Sequence, residues 1–74
     1  MDIEHISVDP KILAGKPIIK GTRIPVYLIL QLLEAGKTIN DIIEDYPELT
    51  EKDVKAAIHY AQLLLKREEL VFTV

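Results

Sequence analysis

The chain has no cysteine among its 74 residues, so neither a disulfide framework nor a thiolate metal site can reinforce it. Histidine occurs only at positions 5 and 59, and neither has a partner at metal-ligand spacing. Long apolar runs are missing as well. The longest, Ile24 to Leu30, falls far short of the ~20 residues a membrane-spanning helix needs. The opening Met1-Asp2-Ile3-Glu4-His5 lacks the basic start and apolar stretch of a secretory leader, so a soluble, cytoplasmic protein with no membrane attachment is expected. Nor is there an excess of positive charge. The net charge is −3, which is not the signature of a protein that holds nucleic acid by bulk electrostatics.

What is present is a surplus of apolar residues, 49% of the chain. A domain this small buries little surface alone, and a second copy would let the surplus be buried, so a homodimer is expected. Charge is unevenly placed. Residues 1–25 carry four basic and three acidic side chains (net +1), and residues 26–74 carry five basic and nine acidic (net −4).

The most unusual stretch runs from Gly15 to Pro25 and holds two of the three glycines, two of the four prolines and three of the nine Lys and Arg residues. Ile18-Ile19 and Thr22-Arg23-Ile24 read as the arms of a hairpin turning at Lys20-Gly21, where Gly21 can take the positive φ that a tight turn needs. Ahead of it, Ile3, Ile6 and Val8 read as a short strand ending at Asp9-Pro10, and Lys11 to Ala14 as one helical turn stopped by Gly15. The region 3–24 is thus expected to be β-rich.

Three helices are expected after it, at about 25–35, 39–46 and 51–69. Pro25 suits a first helical turn and Gly36 a left-handed helix end. Thr38-Ile39-Asn40-Asp41 and Thr50-Glu51-Lys52-Asp53 each place a capping hydroxyl three residues ahead of a carboxylate. Leu49 and Val54 stand at hydrophobic-staple positions. Pro47 ends the second helix. The first helix is apolar around most of its circumference, apart from the stripe Tyr27, Gln31 and Glu34, and is expected to be buried on several sides. Val54, Ala57, Ile58, Ala61, Leu64 and Leu65 form the expected inner face of the third. Leu70-Val71-Phe72-Thr73-Val74 has strand composition. The fold class is therefore mainly α with short β elements, a single domain over 1–74. It is a three-helix, helix-turn-helix-like bundle behind an N-terminal strand and hairpin, with a candidate C-terminal strand at 70–74.

Helix, short turn, capped helix is the order of a helix-turn-helix, with the third helix as reader and the hairpin as wing. The turn from Tyr46 to Thr50 lacks the glycine such turns often contain, and fold alone does not decide function. On the third helix Lys52, Lys55, His59, Gln62 and Lys66 share one face and can donate to phosphates or base edges. The plain alternative is a solvated face with Glu51 at its start. At the hairpin, Lys20, Thr22 and Arg23 are donors at a tip, and a purely structural turn explains them equally well. The candidate nucleic-acid contacts are Lys20, Thr22, Arg23, Lys52, Lys55 and His59; the structural positions are Gly21, Pro25, Gly36 and Pro47. Catalysis is not expected, nor a metal or cofactor. Glu4 or Asp9 could stand beside His5, but a polar terminal strand explains them. Gly15-Lys16 lacks the rest of a phosphate loop. Asp41, Glu44, Asp45 and Glu48 read as a solvated acidic face.

The segment Gly15-Lys-Pro-Ile-Ile-Lys-Gly-Thr-Arg-Ile-Pro-Val26 resembles the Gly-x-Pro-x-Ile-x-Gly-Thr-Arg-Ile-x-Val mark of domain-of-unknown-function family 433, small prokaryotic proteins. The likeness continues through Glu34-Ala35-Gly36, Tyr46 to Thr50 and Val54 to Ala61, spanning roughly residues 3 to 68. One departure is Leu13-Ala14-Gly15, where family members often carry Gly-Gly or Cys-Gly-Gly. The resemblance implies a helix-turn-helix-like fold and an antitoxin-like role, in which the protein binds and blocks a PIN-like nuclease toxin and represses its own operon. The alternatives are a protein-interaction module that never touches DNA, favoured by the net charge and the acidic start of the third helix, or a structural dimer with no partner.

Overall fold

The computed structural model describes residues 3–67. The candidate strand at 70–74 and the last residues expected of the third helix lie outside them. Strand β1 is Ile6–Ser7, preceded by a 3-10 turn at Ile3–His5, and β2 is Ile18–Ile19. Helices α1 (Val26–Glu34), α2 (Ile39–Asp45) and α3 (Glu51–Arg67) follow. β1 and β2 pair antiparallel, Ile6 opposite Ile19 and Ser7 opposite Ile18. The fold is mainly helical with a small β element in front, as the sequence predicts.

The hairpin differs in detail. Gly21 has φ +84°, and the Thr22 amide donates to the Ile19 carbonyl at 3.0 Å. Lys20 keeps negative φ, so only the third position of the turn is left-handed, the pattern that demands glycine there. The returning arm is not Thr22-Arg23-Ile24. The Ile19 amide donates to Ile24 O at 2.9 Å, and Ile18 bridges Pro25, so Thr22 and Arg23 belong to the loop. Pro25 is extended (φ −75°, ψ 150°) and stands just outside α1 as its cap. Its missing N–H is harmless there too, since the first amides of a helix have no partner within it.

Each helix end follows from its sequence. Lys37 N donates to Leu32 O and Gly36 N to Leu33 O, both at 3.0 Å, with Gly36 at φ +97°. That is the Schellman closure that a glycine at this position permits. Thr38 and Asp41 form a reciprocal capping box on α2. Thr50 and Asp53 do the same on α3, at 3.2 and 3.0 Å. α2 stops at Asp45, ahead of Pro47, and the Leu49 amide returns to Tyr46 O at 2.9 Å.

The core draws on every element from β2 onward: Ile19, Ile24, Val26, Ile29, Ile42, Leu49, Val54 and Ala57. Leu49 and Val54, the staple pair, are both buried, so the turn between α2 and α3 is anchored rather than draped over the surface. Two expectations fail in an informative way. Only Val26 and Ile29 of α1 are buried, while Leu28, Leu30, Leu32 and Leu33 are half-buried. On α3, Leu64 and Leu65 are 42% and 64% exposed, and Ala56 joins the buried set instead. The reason is length. At ~1.5 Å per residue, the 17 residues of α3 outrun the 9 of α1 and the 7 of α2, so Leu64 and Leu65 are left largely uncovered by the described residues.

The turn expected at Lys11 to Ala14 is present but left-handed at its end. Leu13, Ala14 and Gly15 have φ of +51°, +57° and +83°, and only the last is a glycine, which takes such a φ without strain because it has no Cβ. The loop is held by Asp9, whose carboxylate accepts from Lys11 N at 2.9 Å and whose carbonyl accepts from Ile12 N at 2.9 Å. A left-handed non-glycine residue costs roughly 1–2 kcal/mol, partly offset by the freedom a glycine would lose on folding. Ala14→Gly is therefore expected to raise the melting temperature by a few degrees, and Leu13→Gly to add to it. A thermal melt in which both variants are less stable than the parent would contradict the strain argument.

Candidate functional site

The element that organises the surface is a carboxylate. Asp53 sits in the first turn of α3, where Oδ2 accepts from the Thr50 amide and the Asp53 amide donates to the Thr50 hydroxyl. Its other oxygen, Oδ1, accepts from His5 Nδ1 at 2.6 Å. An ionised carboxylate only accepts, so this contact keeps the proton on Nδ1. The backbone of His5 is engaged as well, its carbonyl accepting from Lys20 N at 2.8 Å. One continuous path thus runs from the hairpin tip, through the N-terminal segment, to the start of α3. Burial pushes the Asp53 carboxyl up, but the His5 ring and the Thr50 amide and hydroxyl together outweigh it and leave it below its ordinary value. Asp41 is lowered too, by the Thr38 amide first and then the Thr38 hydroxyl.

The path decides where the predicted contact residues stand. Lys20 and Arg23 are exposed on the hairpin loop, and Lys52 and Lys55 on the first turns of α3. Lys20 is one hydrogen bond from His5, and His5 one from Asp53, the neighbour of Lys52. The backbone at the loop tip is thereby tied, through His5, to the first turn of α3. His59 is half-buried further along the same helix. Thr22 has a different place. Its hydroxyl donates to Ile19 O at 2.8 Å and accepts from Ile24 N at 3.0 Å, so it ties the two ends of the loop together. Lys55 pairs with Glu51 at 3.0 Å, four residues back, with both side chains exposed. Such surface pairs are weak, about 0.3–0.5 kcal/mol, and leave Lys55 available to a stronger anion. Gly21, Gly36, Pro25 and Pro47 all occupy the backbone positions described above.

A second feature lies elsewhere. An apolar groove of about 270 Å³ opens between α1 and α3, with Pro17 at one end and Tyr27, Leu30, Tyr60 and Leu64 along its sides. Lys16 stands at its rim, its ammonium 5.5 Å from the centre of the Tyr27 ring, within reach of a cation–π attraction. Neither the groove nor the His5–Asp53 bond was readable in the sequence. His5 and Asp53 are 48 positions apart, and no periodicity links them. Asp53 was visible as a cap, but nothing marked its second oxygen.

Among the described residues there is no group of three or more His, Asp or Glu side chains able to hold a metal ion, and no helix long and apolar enough to cross a membrane. The acidic residues expected to form a solvated face are divided. Asp41 caps α2, Asp45 lies 3.9 Å from Lys37, and Glu44 and Glu48 are exposed.

Three helices in helix-turn-helix order behind a two-stranded β element define a small helix-turn-helix-like domain. The chain belongs to the family described as "Protein of unknown function (DUF433)", whose model matches residues 6–61. A crystal structure of a DUF433 member protein from Anabaena variabilis superposes with a TM-score of 0.79 at 30% identity, over 85% of this chain and 62% of that one. The uncharacterized protein y4eO of Sinorhizobium fredii is 34% identical over 59 residues, 80% of this chain. An uncharacterized protein of Archaeoglobus fulgidus is 62% identical over 24 residues, 32% of this chain and 67% of its own length. The chain spans 27% of the length of the Sinorhizobium protein.

The Asp53 cluster has a pH signature. Because the folded-state carboxyl is lowered, its contribution is fully present above the unfolded value of about 3.9 and is lost as pH falls through the folded value. Denaturant melts across pH 2–6 should show this loss, and Asp53→Asn should flatten the acid limb while lowering stability at pH 6. An acid limb unchanged in Asp53→Asn would show that the cluster does not carry it.

Proposed function

We propose that this domain is the antitoxin-like member of a toxin–antitoxin pair. In this reading it binds a PIN-like nuclease toxin and contacts operator DNA through the hairpin tip and the start of α3. It works by binding, not catalysis. The observation that supports the DNA contact most is the link from the Lys20 amide through His5 to Asp53, which ties the loop carrying Lys20 and Arg23 to the first turn of α3. Lys20, Arg23, Lys52 and Lys55 would meet phosphates, and His59 would stand behind them. Thr22 would act through the loop shape it maintains. Reader helices of this fold family meet base edges with their N-terminal residues, the end that carries Lys52 and Lys55. Four phosphate contacts on a chain of net charge −3 give modest affinity that falls steeply with salt, with a slope of about −3 to −4 in log–log terms. The exposed Glu44 and Glu48 would face a basic surface around the nuclease cleft.

A second reading is an interaction module with no DNA role. The Glu51–Lys55 pair favours it, since it offers a neutral rather than a cationic start to α3. Paired assays separate the two: gel retardation on the DNA upstream of the gene at moderate salt, and inhibition of the partner nuclease. Arg23→Ala with Lys55→Ala is expected to lose retention, flatten the salt slope by about 2, and inhibit as well as the parent. A parent protein that retards no DNA, with or without toxin, would remove the DNA half of the proposal. Loss of inhibition alone would support the interaction module.

A further inference from the structure

The groove between α1 and α3 takes no part in the surface just described. Its walls are apolar, and Tyr27 and Leu64 along it are 48% and 42% exposed. At about 270 Å³ it falls just below the ~300–1,000 Å³ of typical small-ligand pockets. Its single charged lining residue, Lys16, sits at the rim. The site suits a few apolar side chains of a peptide segment carrying negative charge at one end.

The chain supplies such a segment. Beyond Arg67 come Glu68 and Glu69, then Leu70-Val71-Phe72-Thr73-Val74, four of whose five residues are apolar. Five residues in extended form cover ~17 Å, enough to run along a groove bounded by two helices. Reaching the groove of its own chain is the difficulty. Leu64 lies one turn back from the end of α3, so the chain would have to reverse at once. Neither glycine nor proline follows Arg67 to make that reversal. By propensity Glu68 and Glu69 favour a helix over a turn, which opposes an immediate reversal onto the chain's own groove. A second copy related by a two-fold axis meets the same geometry from the other side, so each can donate a segment and receive one.

We propose that two copies of this chain pair by exchanging residues 70–74, each segment lying in the α1–α3 groove of the other copy. Glu68 and Glu69 of one copy then approach Lys16 of the other. The arrangement covers Tyr27 and Leu64, and it needs neither toxin nor DNA, so it stands or falls apart from the function proposed above.

Light scattering on the full chain tests it, with circular dichroism to verify folding. The parent should have the mass of two 8.4 kDa chains. Leu64→Glu, which spoils the groove, and Phe72→Asp, which spoils the segment, should each run as folded monomers. Mixing the two variants should restore dimer, because the Leu64→Glu copy still has a sound segment and the Phe72→Asp copy a sound groove. Should Leu64→Glu fail to fold, Tyr27→Glu provides a groove variant outside the core. A monomeric parent would overturn the proposal, leaving the groove to the chain's own segment or to a foreign partner. So would folded variants that remain dimeric, or a mixture that stays monomeric.

Discussion

The arrangement depends on the sharing of one carboxylate. Asp53 closes the first turn of α3 with one oxygen and clasps His5 with the other. A helix start needs an acceptor for its free amides, and a surface Asp could supply that alone. By taking His5 as well, it converts a local cap into a joint between segments 48 positions apart. His5 then holds Lys20 through its carbonyl, so the hairpin tip cannot drift from α3 without breaking a charge-assisted bond or a backbone one. With a β element of only two residues per strand, such a joint has more to do than it would in a large sheet. Short two-stranded pairings are marginal by themselves.

The remaining constraint is size. Eight residues make the core cluster, and five of them lie on helices with an end fixed by a capping box or a Schellman closure. Economy at the helix ends lets so small a core hold three helices. It also leaves apolar surface over. α3 outruns its neighbours, its Leu65 is exposed, and its Leu64 stands across the groove from the half-buried Leu30 of α1. The pairing proposed above would cover part of that surface, and the groove is where it is concave.

What the sequence made legible is local. Gly21, Gly36, Thr38, Thr50 and Pro47 each act through their own few neighbours, and the turn or helix end each one signals is where it was expected. Side-chain periodicity placed Val54 and Ala57 correctly because they lie opposite α1 and α2. It misplaced Leu64 and Leu65 because periodicity reports a face and not how far along it a neighbour extends. Thr22 shows another limit. A hydroxyl at a loop tip offers a donor to any ligand, and only the folded loop reveals that Ile19 and Ile24 have taken it. The Leu13-Ala14 departure from the family pattern was visible, but its cost appeared only with the left-handed φ values. The basic candidates Lys20, Arg23, Lys52 and Lys55 were readable as two separate groups, and the tie from the loop backbone through His5 to Asp53 is one that no pattern announces.

If the joint is what unites the tip with α3, its two members must be energetically coupled. A double-mutant cycle with His5→Ala and Asp53→Ala, read by urea denaturation at pH 6, measures that coupling directly and cancels the capping that Asp53 also supplies. Residues in direct hydrogen-bonded contact show interaction energies of about 0.5–3 kcal/mol, and a charge-assisted bond belongs in the upper part of that range. The account predicts a coupling above ~1 kcal/mol. Additivity of the two substitutions within about 0.3–0.5 kcal/mol would contradict it.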